Sequence, residues 1–432
     1  MRLKFKLAPC PLKMAGNVEA PFLRLGNGEL LRHVLSMYRG RCGLRPLAAA
    51  SRNCRNAVRA HVRRGIWMCG GTSLQRVCVV NGCRESLPVP WTRQLEHHSM
   101  TVAEGCLVVM GGCLDGFVDT ERFGHFGGAY SKATAAVWRF DLVDHTWAMG
   151  RGLFDWRQKH CSASFGGDVY VVSGSYQITT RPFEIINPLQ HLSKSSFIFE
   201  RKIRALREAN PVVEYHHCIL NRVSAACAAL GRYVYVAGGA RPQYWESENK
   251  ACCDMNRLSR LDTETGEWTD LAPMRNVRRG FKLLAHDGYL YAVGGQENVH
   301  DFEKFNENIN YYSSDDEIEE YEFDEMEVLE VERYSPERDE WEDLGRLLPG
   351  WRLGDGNRSE YSYSDFSSGI AAVADGRLWI MCETRIEFVL MRYDAASNTF
   401  VRGAVISEDP AGQIGELEYL TVAVASVGAL CQ

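Results

Sequence analysis

The sequence predicts a mainly β fold built from repeated antiparallel hairpins, and two spacing patterns carry this prediction. In the first pattern, Trp268 is followed by Arg278, then by an Asp-Gly turn, and then by the doublet Gly294-Gly295. Two apolar runs of strand length flank the turn, and an Asp-Gly pair between such runs favours a tight hairpin. Because a lone hairpin leaves its edges and apolar faces uncovered, the pattern should recur along the chain.

The pattern does recur, with substitutions at some positions. Six places carry the doublet or its replacement: Gly70-Gly71, Gly111-Gly112, Ser173-Gly174, Gly238-Gly239, Gly294-Gly295 and Cys382-Glu383. The position of the repeat arginine is occupied by Arg157, Arg222 and Arg278, and by Leu95 in another copy. In the second pattern, an apolar or aromatic residue lies seven positions before each of Trp147, Trp268, Trp341 and Phe400. Such recurrence indicates one supersecondary unit per copy.

A Gly doublet, an aromatic strand, a Trp and then an Arg before the next strand resemble the kelch repeat. The resemblance implies a β-propeller in which each repeat is a four-stranded blade around a central channel. We therefore expect a six-bladed kelch β-propeller over residues 65–432. The strand at 66–71 and the strand at 417–426 should pair, so that both termini close the ring. The Trp should fill the gap between blades, and the repeat arginines should join blades through backbone carbonyls.

Residues 22–64 differ from the repeats and carry apolar residues at helical spacing. The stretch ELLRHVLSMYRGRCGLRPLAAASRNCRNAV resembles the F-box, a helical segment that docks on a Skp-type adaptor of a cullin ubiquitin ligase. The resemblance implies that the adaptor-binding face is formed or supported by Leu30, Leu31, Val34, Leu35, Leu44 and Leu47. The alternative is a helical cap that packs against the propeller. Residues 1–21 are expected to form a flexible tail.

Three insertions interrupt the predicted propeller, near residues 176–215, 301–327 and 353–365. The second contains most of a strongly acidic stretch, because eleven of the eighteen residues from Asp315 to Glu332 are acidic. We expect a strand to resume at Val328 and to direct Glu330 and Glu332 towards solvent, since alternate residues of a strand share a face.

Composition and motifs argue against several functions. A net charge of −6 gives no basic footprint for nucleic acid, and no apolar run approaches the roughly 18 residues of a membrane helix. Fifteen scattered cysteines without a C-x2-C pair favour reduced thiols in the cytoplasm or the nucleus. The pairs His97-His98 and His216-His217 are adjacent, so each pair directs its rings apart on a strand. We expect no metal site, no cofactor and no catalytic residues.

A binding face around the channel mouth is the function that the pattern favours. Kelch propellers that capture peptides use loops and strand starts there, and the position two residues after the repeat arginine would line the mouth. Arg279 lies beside that position and falls outside the period. The predicted substrate-binding residues are His97, Lys159, Ser224, Arg279 and Ser368. The positive charge of this region would favour an acidic or phosphorylated protein segment.

Together, these expectations predict that the protein is a substrate-recognition subunit of an SCF-type cullin-RING ubiquitin ligase. The partners would be a Skp-type adaptor with its cullin and a protein substrate, while partner subunits would transfer ubiquitin. The alternative is a non-ligase kelch scaffold, a protein-interaction module with a cytoskeletal or signalling role.

Overall fold

The computed structural model describes residues 62, 64–70, 73–114, 132–154, 156–174, 183–187, 222–240, 255–298, 325–327, 330–346, 370–383, 388–397, 399–406 and 423–425. They belong to one compact unit, Gly43–Gln432. Nearly all of the F-box-like segment, including its six predicted adaptor-binding residues, lies outside the described residues. So do Ser368, residues 353–365 and most of the insertions near 176–215 and 301–327. No helix among the described residues has the length and apolar character that crossing a membrane requires.

The described residues form strands that we number in chain order. Their bounds are β1 Gly65–Gly70, β2 Ser73–Cys78, β3 Arg84–Pro88, β4 Leu95–Glu96, β5 Ser99–Ala103, β6 Cys106–Met110, β7 Cys113–Leu114, β8 Lys132–Ala133, β9 Val137–Asp141, β10 Trp147–Met149, β11 Cys161–Phe165, β12 Asp168–Val172, β13 Phe183–Ile186, β14 Ala226–Leu230, β15 Tyr233–Ala237, β16 Leu258–Asp262, β17 Trp268–Leu271, β18 Lys282–His286, β19 Tyr289–Val293, β20 Gln296–Asn298, β21 Glu325–Glu327, β22 Glu330–Ser335, β23 Glu340–Arg346, β24 Ile370–Ala374, β25 Arg377–Glu383, β26 Phe388–Asp394, β27 Thr399–Val405 and β28 Ala423–Ala425.

Six antiparallel sheets are the blades of a β-propeller, which confirms the predicted fold. Blade 1 has the strand order β28-β1-β2-β3, blade 2 β5-β6-β9-β10, blade 4 β14-β15-β16-β17, blade 5 β18-β19-β22-β23 and blade 6 β24-β25-β26-β27. Blade 3 has β11-β12-β13 in the part of the chain that the structure describes. Two further small sheets are formed by β4-β7-β8 and by β20-β21, and their strands come between blade strands along the chain.

Both ends of the propeller meet in blade 1, as the sequence predicted. Strand β28 pairs with β1 in antiparallel register, with Trp67 opposite Ala425 and Cys69 opposite Ala423. The first strand of each blade lies nearest the channel, and these inner strands contact one another in the order β28, β5, β11, β14, β18 and β24, with β24 returning to β28. The ring is therefore closed by hydrogen bonds within a blade and by packing between blades.

The seven-residue spacing corresponds to cross-strand pairs in the outer hairpins. Phe140 lies opposite Trp147 in blade 2, and the equivalent pairs in blades 4, 5 and 6 are Leu261–Trp268, Tyr334–Trp341 and Tyr393–Phe400. Each Trp also contacts the preceding blade. The Trp147 indole donates to the Pro88 carbonyl at 2.8 Å, the Trp341 indole donates to the Ala272 carbonyl at 2.8 Å, and the Trp268 ring meets Phe183 edge-on. The predicted role of Trp between blades is confirmed.

The glycine doublets lie where neighbouring backbones come too close for a side chain. A Cβ on Gly238, whose φ is 57°, would lie 2.5 Å from the carbonyl oxygen of Arg278 in the next blade. In blade 3, Ser173 takes the first doublet position with a φ of 70°. Its hydroxyl donates to the Arg222 carbonyl of blade 4 and accepts the Arg222 amide at 3.1 Å. The replacement thus turns a tight contact into hydrogen bonds.

Candidate binding face at the channel mouth

Three buried arginines support the loops that lead to the channel. Arg157, Arg222 and Arg278, which we call the anchor arginines, are fully buried. Each guanidinium donates to the carbonyl of the first doublet residue in its own blade, at 2.8 Å to Ser173, 3.3 Å to Gly238 and 3.1 Å to Gly294. Each therefore fixes the loop before the inner strand to the end of the second strand.

In blades 3 and 5, a buried carboxylate on the third strand completes this arrangement. Glu184 forms an ion pair with Arg157, with 2.7 Å between Oε1 and Nη2, and Glu332 forms an ion pair with Arg278. The expectation that Glu332 points to solvent is wrong, because its side chain is buried against Arg278. The side chain of Glu330 lies outside the described part. Because a buried charge without a counter-charge destabilises the folded state, each member of a pair needs the other.

The same carboxylates also hold the backbone of the loop. Glu184 accepts the amide of Phe154 at 2.8 Å, and Glu332 accepts the amide of Arg275 at 2.7 Å. These amides lie three residues before Arg157 and Arg278, respectively. Each loop is thus fixed at two points, its amide and its anchor arginine, immediately before it reaches the channel.

Blade 4 reaches a similar result with a hydroxyl. Arg222 donates to the Ser259 hydroxyl at 2.9 Å, and that hydroxyl donates to the Asp270 carboxylate at 2.9 Å. Burial, and then the positive charge of Arg257, lowers the pKa of Arg222 to about 10. Because Ser259 relays to a partly exposed carboxylate, the buried charge of Arg222 has a weaker counter-charge than the charges in blades 3 and 5.

The anchor arginines join neighbouring blades through backbone carbonyls, as predicted, but the carbonyls are those of the arginines themselves. Their side chains bond within their own blades, whereas their backbone carbonyls bond to the preceding blade. Gly112 donates to the Arg157 carbonyl at 2.7 Å, Gly174 to the Arg222 carbonyl at 2.9 Å and Gly239 to the Arg278 carbonyl at 2.9 Å. One residue therefore serves both the blade and the blade interface.

Two residues after this position, the chain forms a hydrogen-bonded arc around the channel. The mouth ring, as we call it, consists of His97, Lys159, Ser224 and Gly280. The Lys159 amide donates to the His97 carbonyl at 2.9 Å, the Ser224 amide to the Lys159 carbonyl at 2.8 Å and the Gly280 amide to the Ser224 carbonyl at 2.8 Å. All four have a φ between 52° and 65°. This left-handed conformation is uncommon for residues with a Cβ, and such strain is concentrated at functional sites.

Imidazoles that remain neutral lie in and below the mouth ring. Burial, and then the charge of Lys159, lowers the pKa of His97 to about 4. Burial also lowers the pKa of His98 to about 4 and that of His160 to about 3. The His160 Nε2 lies 2.7 Å from the Ser99 hydroxyl. At neutral pH the positive charge of this region thus comes from lysine and arginine rather than from histidine.

Lys282, the first residue of β18, adds a lysine beside the channel. Burial lowers its pKa to about 8, although part of the residue remains accessible to solvent. The pKa falls because protein atoms replace most of the hydration of the ammonium group, which disfavours its charged form. The charge of Lys282 also lowers the pKa of His98.

The structure brings together most of the residues that the sequence selected. His97, Lys159 and Ser224 are consecutive in the mouth ring and partly exposed, and Arg279 is the immediate neighbour of Gly280. Ser368 lies outside the described residues. Sequence reasoning missed the carboxylates Glu184 and Glu332 and the hydroxyl of Ser259, because variable insertions separate the third strands from the rest of each repeat.

A set of possible metal ligands was also missed. The carboxylate of Glu96, the imidazole of His97 and the thiol of Cys113 lie with their ligand atoms within 4.8 Å of one another. Glu96 and Cys113 are cross-strand partners in the small sheet of β4 and β7. The signal that could have found them is the position directly after a glycine doublet, which lies beside the mouth-ring loop of the same blade.

Comparison with known proteins agrees with this architecture. A profile of the kelch motif matches residues 221–275, which include Arg222, the doublet of blade 4 and Trp268. The segment that spans blade 4 thus carries a kelch motif. The kelch match therefore covers the anchor, the doublet and the inter-blade Trp whose contacts define a blade here.

The similar proteins share little sequence identity with this chain, and only part of each one is matched. The chain is 25% identical over 141 residues to Kelch repeat and BTB domain-containing protein 12 of Danio rerio, covering 33% of this chain and 20% of that protein. It is 25% identical over 189 residues to Kelch domain-containing protein 3 of Bos taurus, covering 40% and 45%. It is 29% identical over 118 residues to Kelch-like protein 26 of Mus musculus, covering 27% and 14%. The matches thus span less than half of each relative. The solved structure of YjhT superimposes with a TM-score of 0.45 and 14% identity over 77% of this chain and 91% of that one.

Proposed function

We propose that this kelch propeller binds an acidic or phosphorylated segment of a protein substrate at the mouth ring. We also propose that the chain is the substrate-recognition subunit of an SCF-type cullin-RING ubiquitin ligase. In this proposal, the F-box-like segment at 22–64 docks on a Skp-type adaptor, and partner subunits transfer ubiquitin to the held substrate. The contribution of this chain is then proximity, which raises the effective concentration of the substrate.

The observation that carries the binding proposal is the combination of a fixed backbone with different side chains. The mouth-ring positions share one conformation and one chain of backbone hydrogen bonds, yet they carry imidazole, ammonium, hydroxyl and no side chain. A surface that is rigid in backbone and varied in chemistry suits recognition, because the ordering cost of binding is largely met before the ligand arrives.

The charge of the face supports an anionic ligand. Lys159, Arg279 and Lys282 bring positive charge to one side of the mouth, and the neighbouring imidazoles are neutral. Glu96 is an opposing charge in blade 2. We therefore expect the ligand to approach blades 3 and 5 rather than blade 2. Arginine is well suited to the bidentate recognition of carboxylate and phosphate groups.

Charge reversal at the mouth tests the binding proposal. We expect Lys159→Glu and Arg279→Glu each to weaken binding of a fluorescent phosphoserine peptide flanked by glutamates by about tenfold, which corresponds to about 1.4 kcal/mol. The matched control is Arg377→Glu, an exposed arginine at the opposite end of blade 6. Binding should also weaken with added salt. Equal affinity in all three variants, measured by fluorescence anisotropy, would overturn the binding proposal.

The ligase proposal has a separate test. The full chain should co-purify with a Skp-type adaptor, and Leu31→Asp and Leu35→Asp should abolish this capture while peptide binding at the mouth is retained. If the parent fails to capture the adaptor, the ligase role is wrong and the mouth proposal still stands. If the aspartate variants capture it as well as the parent, Leu31 and Leu35 do not form the docking face.

A non-ligase kelch scaffold is the second candidate. One observation favours it: the kelch match lies within the propeller, at residues 221–275, and does not reach the F-box-like segment at 22–64. Peptide binding at the mouth without capture of the adaptor would support this scaffold role.

A further inference from the structure

We propose that Glu96, His97 and Cys113 form a zinc-binding site beside the mouth ring in blade 2. Each residue offers one ligand atom, and these atoms lie within 4.8 Å of one another. A tetrahedral zinc ion with Zn–N and Zn–O bonds of about 2.0–2.2 Å and a Zn–S bond of about 2.3 Å holds its ligands at such separations. The proposal departs from the sequence-based expectation of no metal site, and it does not depend on the ligase role or on peptide binding.

The backbone places the three groups together. Glu96 and Cys113 are opposite each other in the antiparallel pair of β4 and β7, and side chains at opposite positions share a face with Cβ atoms about 4.5–5.5 Å apart. His97 follows Glu96 and has a left-handed backbone with a φ of 52°. That turn ends the alternation of a strand, so the imidazole is on the side of its neighbour rather than on the opposite face.

The side chains around the set are already ordered. The Gln94 amide donates to the Glu96 carboxylate at 3.2 Å, which orients the carboxylate as an outer-shell partner would. The Cys113 thiol is buried and free of a disulfide, and it lies 3.7 Å from the Glu96 carbonyl. Binding would replace this weak contact with a zinc–sulfur bond.

Blade 4 shows that the ligand set is not a by-product of the repeat geometry. There, Val223 pairs with Ala240, the residue after the doublet, as Glu96 pairs with Cys113. Ser224 follows with a φ of 54°. The same backbone thus carries valine, serine and alanine in blade 4, and glutamate, histidine and cysteine in blade 2. Three metal-binding side chains occur together where the backbone alone does not require any of them.

The donor set favours zinc over other common divalent ions. One thiolate, one imidazole and one carboxylate suit a borderline-soft ion, whereas magnesium and calcium prefer oxygen ligands. On binding, the Cys113 thiol releases its proton to solvent as the zinc–sulfur bond forms, so affinity should rise with pH. Lys159 of blade 3 is an opposing positive charge near His97, and the Glu96 carboxylate and the Cys113 thiolate offset it. Three protein ligands leave a fourth position for water.

Cobalt substitution in the full chain gives a direct test. Co²⁺ added to chelator-treated protein should produce a thiolate-to-cobalt charge-transfer absorption, and zinc should displace it. Cys113→Ser should abolish this absorption, and Glu96→Gln should weaken zinc binding by about tenfold or more in competition with a chromophoric chelator. The matched control is Cys106→Ser, which removes another buried thiol from blade 2.

The outcomes separate the proposal from adventitious binding. Loss of the absorption in Cys113→Ser with retention in Cys106→Ser supports the site. An absorption that persists in Cys113→Ser overturns it, because other thiols of the chain would then hold the metal. Absence of any cobalt or zinc binding by the parent also overturns it. Should Cys113→Ser fail to fold, as judged by circular dichroism, Glu96→Gln alone decides, since Glu96 is only partly buried.

Discussion

The anchor arginines and the mouth ring lie two residues apart in the same loops, and their periodicities have different causes. The anchor position repeats a side chain, because a guanidinium must reach the doublet carbonyl and a third-strand partner in blades 3, 4 and 5. The mouth ring repeats a backbone conformation and varies the side chain. Arg278 and Arg279 are adjacent in sequence, yet the first belongs to the framework and the second lies beside the ring. Recurrence of a side chain thus marks structure here, and recurrence of a conformation alone marks the candidate surface.

Replacing each of these adjacent arginines should give the largest contrast. We expect Arg278→Met to lower the free energy of unfolding by about 3–5 kcal/mol, because Glu332 would remain buried without its partner. Arg279→Met should change it by no more than about 0.5 kcal/mol. Denaturant unfolding of both variants measures this. Arg278→Met combined with Glu332→Gln should recover part of the loss, and equal destabilisation by the two single variants would contradict the distinction.

Within the framework, blade 4 should tolerate loss of its anchor better than blade 3. Arg222→Met leaves the Ser259 hydroxyl bonded to Asp270, so we expect a loss of about 1–3 kcal/mol. Arg157→Met removes the counter-charge of the buried Glu184 carboxylate and should cost about 3–5 kcal/mol. The unfolding midpoints of the two variants, compared at equal m-values, check the order. A larger loss in Arg222→Met would mean that the hydrogen bond from Ser259 to Asp270 does not compensate for the loss of Arg222.

The histidines below the mouth ring should make the propeller sensitive to acid. His98 and His160 have folded-state pKa values of about 4 and about 3, below the ordinary value of 6.5. Between pH 6.5 and 4 the unfolded chain therefore binds more protons, so stability falls as pH falls. The slope should be about 1.4 kcal/mol per pH unit for each histidine. His98→Gln should remove one histidine's share of that slope in chemical denaturation at pH 7, 6 and 5, and an unchanged slope would contradict the assignment.

The smallest effect is expected at Ser173, where a side chain occupies a doublet position. Ser173→Ala loses the hydrogen bonds to Arg222 but keeps the left-handed backbone, so we expect a loss of about 1 kcal/mol. Ser173→Gly loses the same bonds and relieves a backbone cost of about 1 kcal/mol. It should therefore match the parent within about 0.5 kcal/mol in thermal unfolding. If both variants are equally destabilised, the hydrogen bonds of the hydroxyl explain the whole effect, and the left-handed backbone of Ser173 has no measurable cost.

The sequence was sufficient for the features that repeat at fixed offsets. The blades, the outer pairs such as Leu261–Trp268 and the alignment of Lys159 with Ser224 all follow from spacing within one continuous unit. Glu332 was misjudged because an insertion precedes its strand, so alternation alone could not tell which face meets Arg278. The proximity of Glu96 to Cys113 arises across a small sheet that no repeat offset specifies. Features that depend on tertiary contacts rather than on the repeat spacing could therefore not be predicted from the sequence.

The pairing of β28 with β1 sets an order of events during synthesis. Strand β1 leaves the ribosome first among the described strands, yet its inner edge is covered only when Ala423–Ala425 arrives, after every other blade. Until then, the nascent propeller is an open arc with an unpaired edge in blade 1, which is a template for pairing with other chains. Closure of the ring therefore waits for the last of the described strands. A substitution in β28 should therefore lower the yield of folded protein more than its few residues would suggest, because it prolongs exposure of that edge.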